Sequence, residues 1–379
     1  MFTYQKTSRY FAQAGHGLED LVANELASLG AREIKPTFRG VYFDADKAAL
    51  YRINYCSRLT SRILAPLLRF DCHSTKYLYQ TALKINWHKL LTPDNTFAIF
   101  ATVAHSKIKH SRYAALCLKD AIADYFREKD GKRPSVDTKT PDISFHLRIE
   151  RNKAIISLDT SGGSLHKRGY RQEAVEAPMQ ETLAAAMIRF SEWDGRRPLV
   201  DPMCGSGTLL AEALMQSCRI PAAFLRKEFG FEMMDDFDES LWHRVKKEAD
   251  NAIRELPPEL IAGSDISGRD VSASGKNLAL LPQGGKINLK TLPYQERDDL
   301  QNKLIITNPP YGIRLEKGRD MAVFMKEFGD FLKQKCTGST AILYFGKKEL
   351  IKSIGLKPSW KKPLANGGLD GVLTRYDMY

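Results

Sequence analysis

Leu199-Val200-Asp201-Pro202-Met203-Cys204-Gly205-Ser206-Gly207-Thr208-Leu209-Leu210-Ala211-Glu212-Ala213 reads as a short buried strand, a glycine-rich turn and the start of a helix. Gly205 and Gly207 permit a tight turn and let backbone approach a ligand closely, and the N–H groups of the following helix point at the same place. The turn is no P-loop, because no Gly-Lys-Ser/Thr follows it. Nor is it the dinucleotide-binding pattern, whose third glycine would fall where Leu210 stands. Gly-x-Gly alone is compatible with any strand-to-helix turn. Asp201 at the strand end and a second motif downstream narrow the choice.

That second motif is Asn308-Pro309-Pro310-Tyr311, directly after the apolar run Leu304-Ile305-Ile306. Two prolines past a strand cannot continue a sheet ladder and hold the backbone extended. A side-chain amide then stands at a rigid turn with an aromatic ring behind it. The Asn308 oxygen and the Pro309 carbonyl can accept the two hydrogens of an exocyclic base amine, and Tyr311 offers a stacking face. The plain structural alternative is a proline-kinked loop closing a strand. Between the motifs, Leu260–Ile266 reads as a buried strand ending in Asp265. A carboxylate there can take both hydroxyls of a ribose, with Ile266 packing on adenine, or it can cap the next helix.

Asp201–Thr208 together with Asn308–Gly312 resembles the class I S-adenosylmethionine-dependent methyltransferases that modify exocyclic amines. Within them the chain is most similar to the bacterial THUMP-domain RNA methyltransferases, the group that includes the 23S rRNA guanine-N2 enzymes. Leu165–Arg171, Glu176–Ala184 and Leu364–Leu369 carry the likeness further, over nearly the whole chain. The resemblance implies a Rossmann-like α/β domain with a doubly wound, mostly parallel sheet. It also implies S-adenosylmethionine as cofactor, with Asp201, Pro202, Cys204, Gly205, Ser206, Gly207, Thr208, Asp265, Ile266 and Asn308 around it. The catalytic set would be Asn308, Pro309, Pro310 and Tyr311. Longer relatives carry a second methyltransferase domain, so the single-domain form is expected here. Thr291-Leu292-Pro293-Tyr294 departs from the family where many relatives place an acid on the adenine amine, which leaves that contact to backbone.

The N-terminal part reads as an α+β unit at 1–58 with ferredoxin-like layering and a second unit at 59–160, to which the resemblance assigns a THUMP RNA-binding domain. The methyltransferase domain follows at 161–379. Helices are predicted near Gly17–Leu26, Ala45–Asn54, Thr75–Ile85, Tyr113–Glu128 and Glu181–Phe190, with strands at Tyr10–Ala14, Val41–Phe43, Phe97–Val103, Ser144–Glu150 and Ala154–Asp159. Ser161–Ser164 reads as a flexible link. His166–Arg171 reads as either an exposed charge cluster or a border of the cleft. Cys218–Pro258 looks like an insertion without an assignable role.

The net charge of +12 is unevenly placed. Residues 1–170 hold 27 of the 57 Lys+Arg and 16 of the 45 Asp+Glu, an excess of +11 that leaves +1 for the remainder. A polyanion partner, RNA and by resemblance 23S rRNA, suits such a region, and the basic loop Ala104–Arg112 could grip phosphates. Six scattered cysteines without a Cys-x-x-Cys pair argue against a zinc site or a disulfide framework, and no metal is expected. No signal-like or membrane-spanning apolar run occurs, so a cytoplasmic protein is expected. Three alternatives remain: a tRNA guanine-N2 enzyme, an adenine-N6 methyltransferase acting on nucleic acid, and an RNA-binding protein with an idle cofactor site.

Overall fold

The computed structural model describes residues 1–173, 179–310, 320–366 and 369–379. The first part begins with helix α1 (Thr3–Thr7), strand β1 (Arg9–Gln13), α2 (Glu19–Ser28), the hairpin β2 (Arg32–Thr37) and β3 (Gly40–Asp44), and α3 (Lys47–Cys56). It continues through β4 (Arg62–Asp71), α4 (Thr75–Ala82), β5 (Thr96–Ala104), α5 (Ser111–Asp130), β6 (Ser135–Val136), β7 (Ile143–Glu150) and β8 (Lys153–Asp159). All eight strands form one sheet in the order β2-β3-β1-β4-β8-β7-β5-β6.

The strand joining its halves, β4, is absent from the sequence reading. It pairs with β1 through Phe11↔Leu64 and with β8 through Leu64↔Asp159, both antiparallel. Pro66 hides it, since proline inside a central strand removes a ladder donor. The structure accommodates Pro66 where the register with β8 shifts between Pro66 and Leu68, the kind of irregularity that tolerates proline.

The expected flexible link is a packed turn. Ser161 is fully buried, and its hydroxyl accepts the Ile63 N–H at 2.9 Å and donates to Asn54 at 2.9 Å. A Cβ on Gly162 would lie 2.7 Å from the Gly230 nitrogen, so two backbones meet there with no room for a side chain.

The second part runs through α6 (Glu181–Phe190), β9 (Leu199–Asp201), α7 (Thr208–Ser217), α8 (Glu239–Asn251), β10 (Ile261–Asp265), α9 (Gly268–Leu278) and β11 (Asn288–Thr291). It ends with β12 (Leu304–Thr307), α10 (Met321–Lys335), β13 (Thr340–Phe345), α11 (Leu350–Ser353), β14 (Trp360–Asn366) and β15 (Leu369–Asp377). The sheet order is β11-β10-β9-β12-β13-β15-β14, and only β15 runs against its neighbours. This is the doubly wound, mostly parallel sheet that was expected. From β9 the chain first builds outward through β10 and β11, then returns to lay β12 on the other flank of β9. Such a reversal leaves a crevice at the carboxyl ends of the two strands. The edge strand β14 was not anticipated, because Pro363 interrupts it; proline is tolerated on an edge.

Residues 218–258 do have a role. Phe229 and Phe231 stack on each other, and with Trp242 they pack edge-on or tilted against Tyr51 and Tyr55 of α3, with ring centroids 4.5–6.3 Å apart. Hydroxyls finish the joint: Tyr55 donates to Asp250 at 2.6 Å and Tyr4 to Asp236 at 3.0 Å. Aromatic pairs of this kind add to the burial of large rings. The insertion is therefore a clasp that fastens the methyltransferase sheet to the N-terminal one.

Candidate active site

The site is built where β9, β10 and β12 end side by side. The register Leu304↔Leu199 and Gly263↔Asp201 brings Asn308, the glycine turn and Asp265 to one edge of the sheet. Neighbouring strands lie about 4.8 Å apart, so Asn308 and the turn leave the same edge of the sheet from the adjacent strands β12 and β9. In the turn, Gly205 has φ +52 and Gly207 φ +80. A Cβ on Gly207 would meet the Ser274 hydroxyl at 2.3 Å, whereas one on Gly205 would point into open space. One glycine thus serves packing, and the other keeps a surface clear beside the first N–H groups of α7.

Asp265 organises this turn. One carboxylate oxygen accepts the Gly205 N–H at 3.0 Å and the other accepts the Ser267 N–H at 3.0 Å. The cap of α9 is Ser267 rather than Asp265, since its hydroxyl accepts the Asp270 N–H. Each Asp265 oxygen keeps further acceptor capacity. Ile266 beside it is 75% exposed.

Asp201 is buried and accepts the Met203 N–H at 3.1 Å. Burial pushes its carboxyl up to about 7, with the Asp265 charge adding to the rise. Opposing them are the Met203 N–H and the Thr307 hydroxyl, which lies near enough to favour the charge without a hydrogen bond of ordinary geometry. Pro202, Ser206 and Thr208 are buried under the turn. Burial drives the Cys204 thiol well up, which keeps it protonated and suits packing rather than attack. Asn308 is half-buried, Pro309 buried and Pro310 half-buried. The Asn308 amide oxygen is itself buried and finds no hydrogen-bond partner among the described residues. Tyr311 lies outside the described residues, as do Glu176–Pro178 and Gly367–Gly368.

Asn277, which the sequence reading did not single out, and Arg171 and Asn366, from stretches quoted above, fasten the surroundings of the turn. Asn277 on α9, almost wholly buried, uses its entire amide. Its oxygen accepts the N–H groups of Gln172 and Glu173 at 3.0 and 3.1 Å, and its nitrogen donates to the carbonyls of Glu173 and Ser206, both at 3.1 Å. The chain crossing at 172–173 is thereby stapled to the glycine turn. Arg171 fixes the same crossing, donating to the Thr208 hydroxyl at 3.0 Å and the Met179 carbonyl at 2.8 Å, beside Glu181. Asn366 accepts the Gln180 N–H at 3.2 Å, joining β14 to the start of α6. Spacing alone offers no signal for an amide whose partners lie 71 and 104 residues away.

The basic segment His166–Arg171 is not an exposed charge cluster. Arg168 is buried, its Nε 3.2 Å from Glu212 on α7, and it donates to the carbonyls of Leu165 and Arg58. Tyr170 is buried and donates to the same Glu212 at 3.3 Å. Burial, with the Arg168 charge, pushes the His166 imidazole down to about 4. From the N-terminal part, Arg58 reaches the far end of α7 and donates to the carbonyls of Met215 and Ile220 at 2.6 and 2.7 Å. No group of three or more His, Cys, Asp or Glu suited to a metal occurs among the described residues. Among them, no helix is long and apolar enough to cross a membrane.

A sheet of this order, with a glycine turn after its first strand, an acid after its second and Asn-Pro-Pro after its fourth, defines a methyltransferase of the doubly wound class. Its cofactor is S-adenosylmethionine, and the open side of Gly205, the Asp265 carboxylate and the exposed Ile266 are compatible in chemistry with that group. The chain belongs to the RMKL-like methyltransferase family, whose domain model matches residues 168–375. Two further models match the remainder, an RlmL ferredoxin-like domain at 9–64 and a THUMP domain at 72–159. The chain is 39% identical over 98% of its length to a Synechocystis sp. protein named "Putative RNA methyltransferase slr0064", of which it covers 97%. It is 36% identical over 97% of its length to the "Ribosomal RNA large subunit methyltransferase K/L" of Photobacterium profundum. It spans about half of that protein, 53%. Among solved structures it resembles "SMU.472, a putative methyltransferase complexed with SAH", with TM-score 0.85, 28% identity and 98% of each chain covered.

Proposed function

We propose that the protein methylates an exocyclic base amine of RNA, and that guanine N2 of 23S rRNA is its substrate. The observation that supports this reading is the buried amide oxygen of Asn308, which has no hydrogen-bond partner among the described residues, at the end of the strand beside the glycine turn. An unmet buried acceptor costs free energy unless a ligand supplies the donor. The amine of an unpaired guanine supplies two: one to Asn308 and one to the Pro309 carbonyl. Held this way, the nitrogen lone pair is directed at the cofactor side of the crevice. The cofactor supplies an electrophilic methyl on a sulfonium, lost from sulfur as the N–C bond forms. No general base is needed, since the amine proton can leave for water after transfer. Asp201, Pro202, Cys204, Ser206, Gly207 and Thr208 shape the turn, Gly205 gives it an open side, and Asp265 holds the ribose. Pro310 stiffens the motif and Tyr311 stacks on the base, turned out of its helix or already single-stranded.

The RNA part of the reading draws on the THUMP match, the names of the relatives and the charge bias of residues 1–170. The loop after β5 is a ready phosphate grip. Ile108 anchors it in the core, Asn152 accepts the Lys107 N–H at 2.8 Å, and Lys107, Lys109, His110 and Arg112 stand exposed. The six free cysteines suit a reducing compartment, and we place the protein in the cytoplasm. The test is incubation with methyl-labelled cofactor and separate pools of rRNA, tRNA and DNA, followed by nucleoside digestion. Label in N2-methylguanosine from 23S rRNA is the expected result. Label confined to DNA or to N6-methyladenine would overturn the substrate, and label nowhere would leave a binding protein.

A further inference from the structure

The hairpin between β2 and β3 turns through only two residues, Phe38 and Arg39, since Thr37 pairs with Gly40. Two-residue turns favour Asn and Gly because they demand unusual backbone angles. Here Arg39 takes φ +56 and Phe38 is 66% exposed. Neither choice helps the turn fold, and strain kept at an exposed position points to a use. The tip is held firmly in spite of it. Glu19 accepts the Gly17 N–H at 2.7 Å and the Arg39 N–H at 3.0 Å, locking the 15–18 loop to the hairpin. The Arg39 guanidinium lies 5.6 Å from the Phe38 ring centroid, and the His16 ring 5.6 Å from it on a tilt.

The location is informative too. A Cβ on Gly17 would lie 3.5 Å from the Pro363 carbonyl, so this loop abuts the free edge of β14. Lys361 is exposed on that strand, and the Lys362 ammonium sits over the Trp360 and Phe190 rings at 5.6 and 4.8 Å. From Pro363, β14 climbs three residues, roughly 10 Å, to Asn366, which is bonded to the start of α6 at the methyltransferase rim. A preorganised aromatic, with Arg39 beside it and the Glu19 carboxylate engaged by the Gly17 and Arg39 N–H groups, stands where the N-terminal sheet meets the catalytic one.

We propose that Phe38 is a stacking anchor for an unpaired base of the RNA substrate some nucleotides from the methylated one, with Arg39 and Lys361 neutralising the adjoining phosphates. Single-stranded nucleic acid is held in this manner by aromatic faces flanked by cations. The inference rests on the RNA reading above and adds to it where, outside the loop after β5, a strand is gripped.

The test compares Phe38→Ala, Phe38→Trp and Arg39→Gln with wild type, using a short labelled single-stranded RNA and the same strand annealed to its complement. Phe38→Ala should weaken single-strand binding roughly 5- to 150-fold and leave duplex binding alone, because only an unstacked base offers its face. Phe38→Trp should retain the affinity. Arg39→Gln should lower the single-strand salt slope by about 0.7. S-adenosylhomocysteine affinity and melting temperature should stay at wild-type values in all three. Equal single-strand affinity of Phe38→Ala and wild type would overturn the anchor, and so would an equal loss on duplex. Wild type that binds neither probe and labels no RNA would instead remove the RNA reading itself, and the anchor with it.

Discussion

The two ends of α7 live in opposite surroundings. At its N-terminus the glycine turn is open: Gly205 faces clear space, Ile266 is bare and the Asn308 oxygen has no partner among the described residues. At its middle and C-terminus the same helix is gripped. Glu212 receives Arg168 and Tyr170, and Arg58 crosses from the N-terminal part to take the carbonyls of Met215 and Ile220. Thr208 and Glu212 are spaced to share one face of the helix, and with the Arg58 contacts at its C-terminal end they tie α7 to the N-terminal part and to the 165–171 segment. The rim at one end is open, whereas the Arg168, Tyr170 and Arg58 hydrogen bonds hold the helix in place at the other, although Arg58 Nη1 there has no partner among the described residues. The difference shows how a rim can stay unsatisfied without loosening: its rigidity is supplied from behind.

The largest effect should come from the gripped end. Glu212→Ala leaves the buried Arg168 guanidinium without its counter-charge, which typically costs about 3–5 kcal/mol. Urea denaturation should show the loss. Adding Arg168→Met should restore much of it, because the penalty belongs to the orphaned charge. If the single change proves neutral in stability, the gripped end is not what steadies the turn. At the open end Asn308→Ala should do the reverse. Its stability should hold or rise slightly as an unmet acceptor disappears, while kcat falls about 10²–10³-fold, the usual scale for removing one preorganised polar group. Calorimetry should find S-adenosylhomocysteine binding within about twofold of wild type, a margin far below the roughly 1.4 kcal/mol that corresponds to tenfold. Unaltered turnover would remove that amide from the chemistry.

The same contrast explains what could be read from the amino acids alone. Gly205, Gly207, Asp265 and Asn308-Pro309-Pro310 were legible because each meets a local backbone demand: positive φ, a strand end, a fixed turn. Residues that act through distant partners left no such mark. Arg168 looks like surface charge until Glu212 is seen beside it, and Asn277 looks like any polar helix residue. Ser161–Ser164 has the composition of a linker, yet Gly230 presses against it from outside. Likewise β4 was lost because Pro66 speaks against a central strand, and only the register shift with β8 shows how it is accommodated.

A paired substitution sharpens the contrast within the turn. Both Gly207→Ala and Gly205→Ala place a side chain at positive φ, a strain of about 1–2 kcal/mol. Gly207→Ala must also displace Ser274, since its Cβ would lie 2.3 Å from that hydroxyl, so overpacking adds roughly 1–3 kcal/mol of lost stability. Gly205→Ala meets nothing in the free protein and should lose only the strain. Its deficit should appear in S-adenosylhomocysteine affinity, beyond its loss of stability, because its methyl occupies the side kept clear. Equal stability loss in both variants would mean the open side of Gly205 is ordinary packing.

The last contrast is a pH dependence, and its sign differs between the stability of the free protein and its affinity for cofactor. Burial raises the Asp201 carboxyl to about 7 in the folded chain, against about 3.9 when unfolded. Its contribution to stability is therefore fully present at acid pH and is lost as pH rises from about 4 through 7. A cationic cofactor beside the carboxyl favours the ionised form, so binding below about pH 7 must expel a proton. S-adenosylmethionine affinity should accordingly rise several-fold, at most about tenfold per pH unit, as pH climbs from 6 to 8. S-adenosylhomocysteine, which lacks the sulfonium charge, should show a shallower slope, and Asp201→Asn should flatten both. Titration calorimetry at several pH values separates these outcomes. Parallel slopes for the two ligands would mean that Asp201 does not face the sulfonium, and that the acid at the end of β9 serves the turn alone.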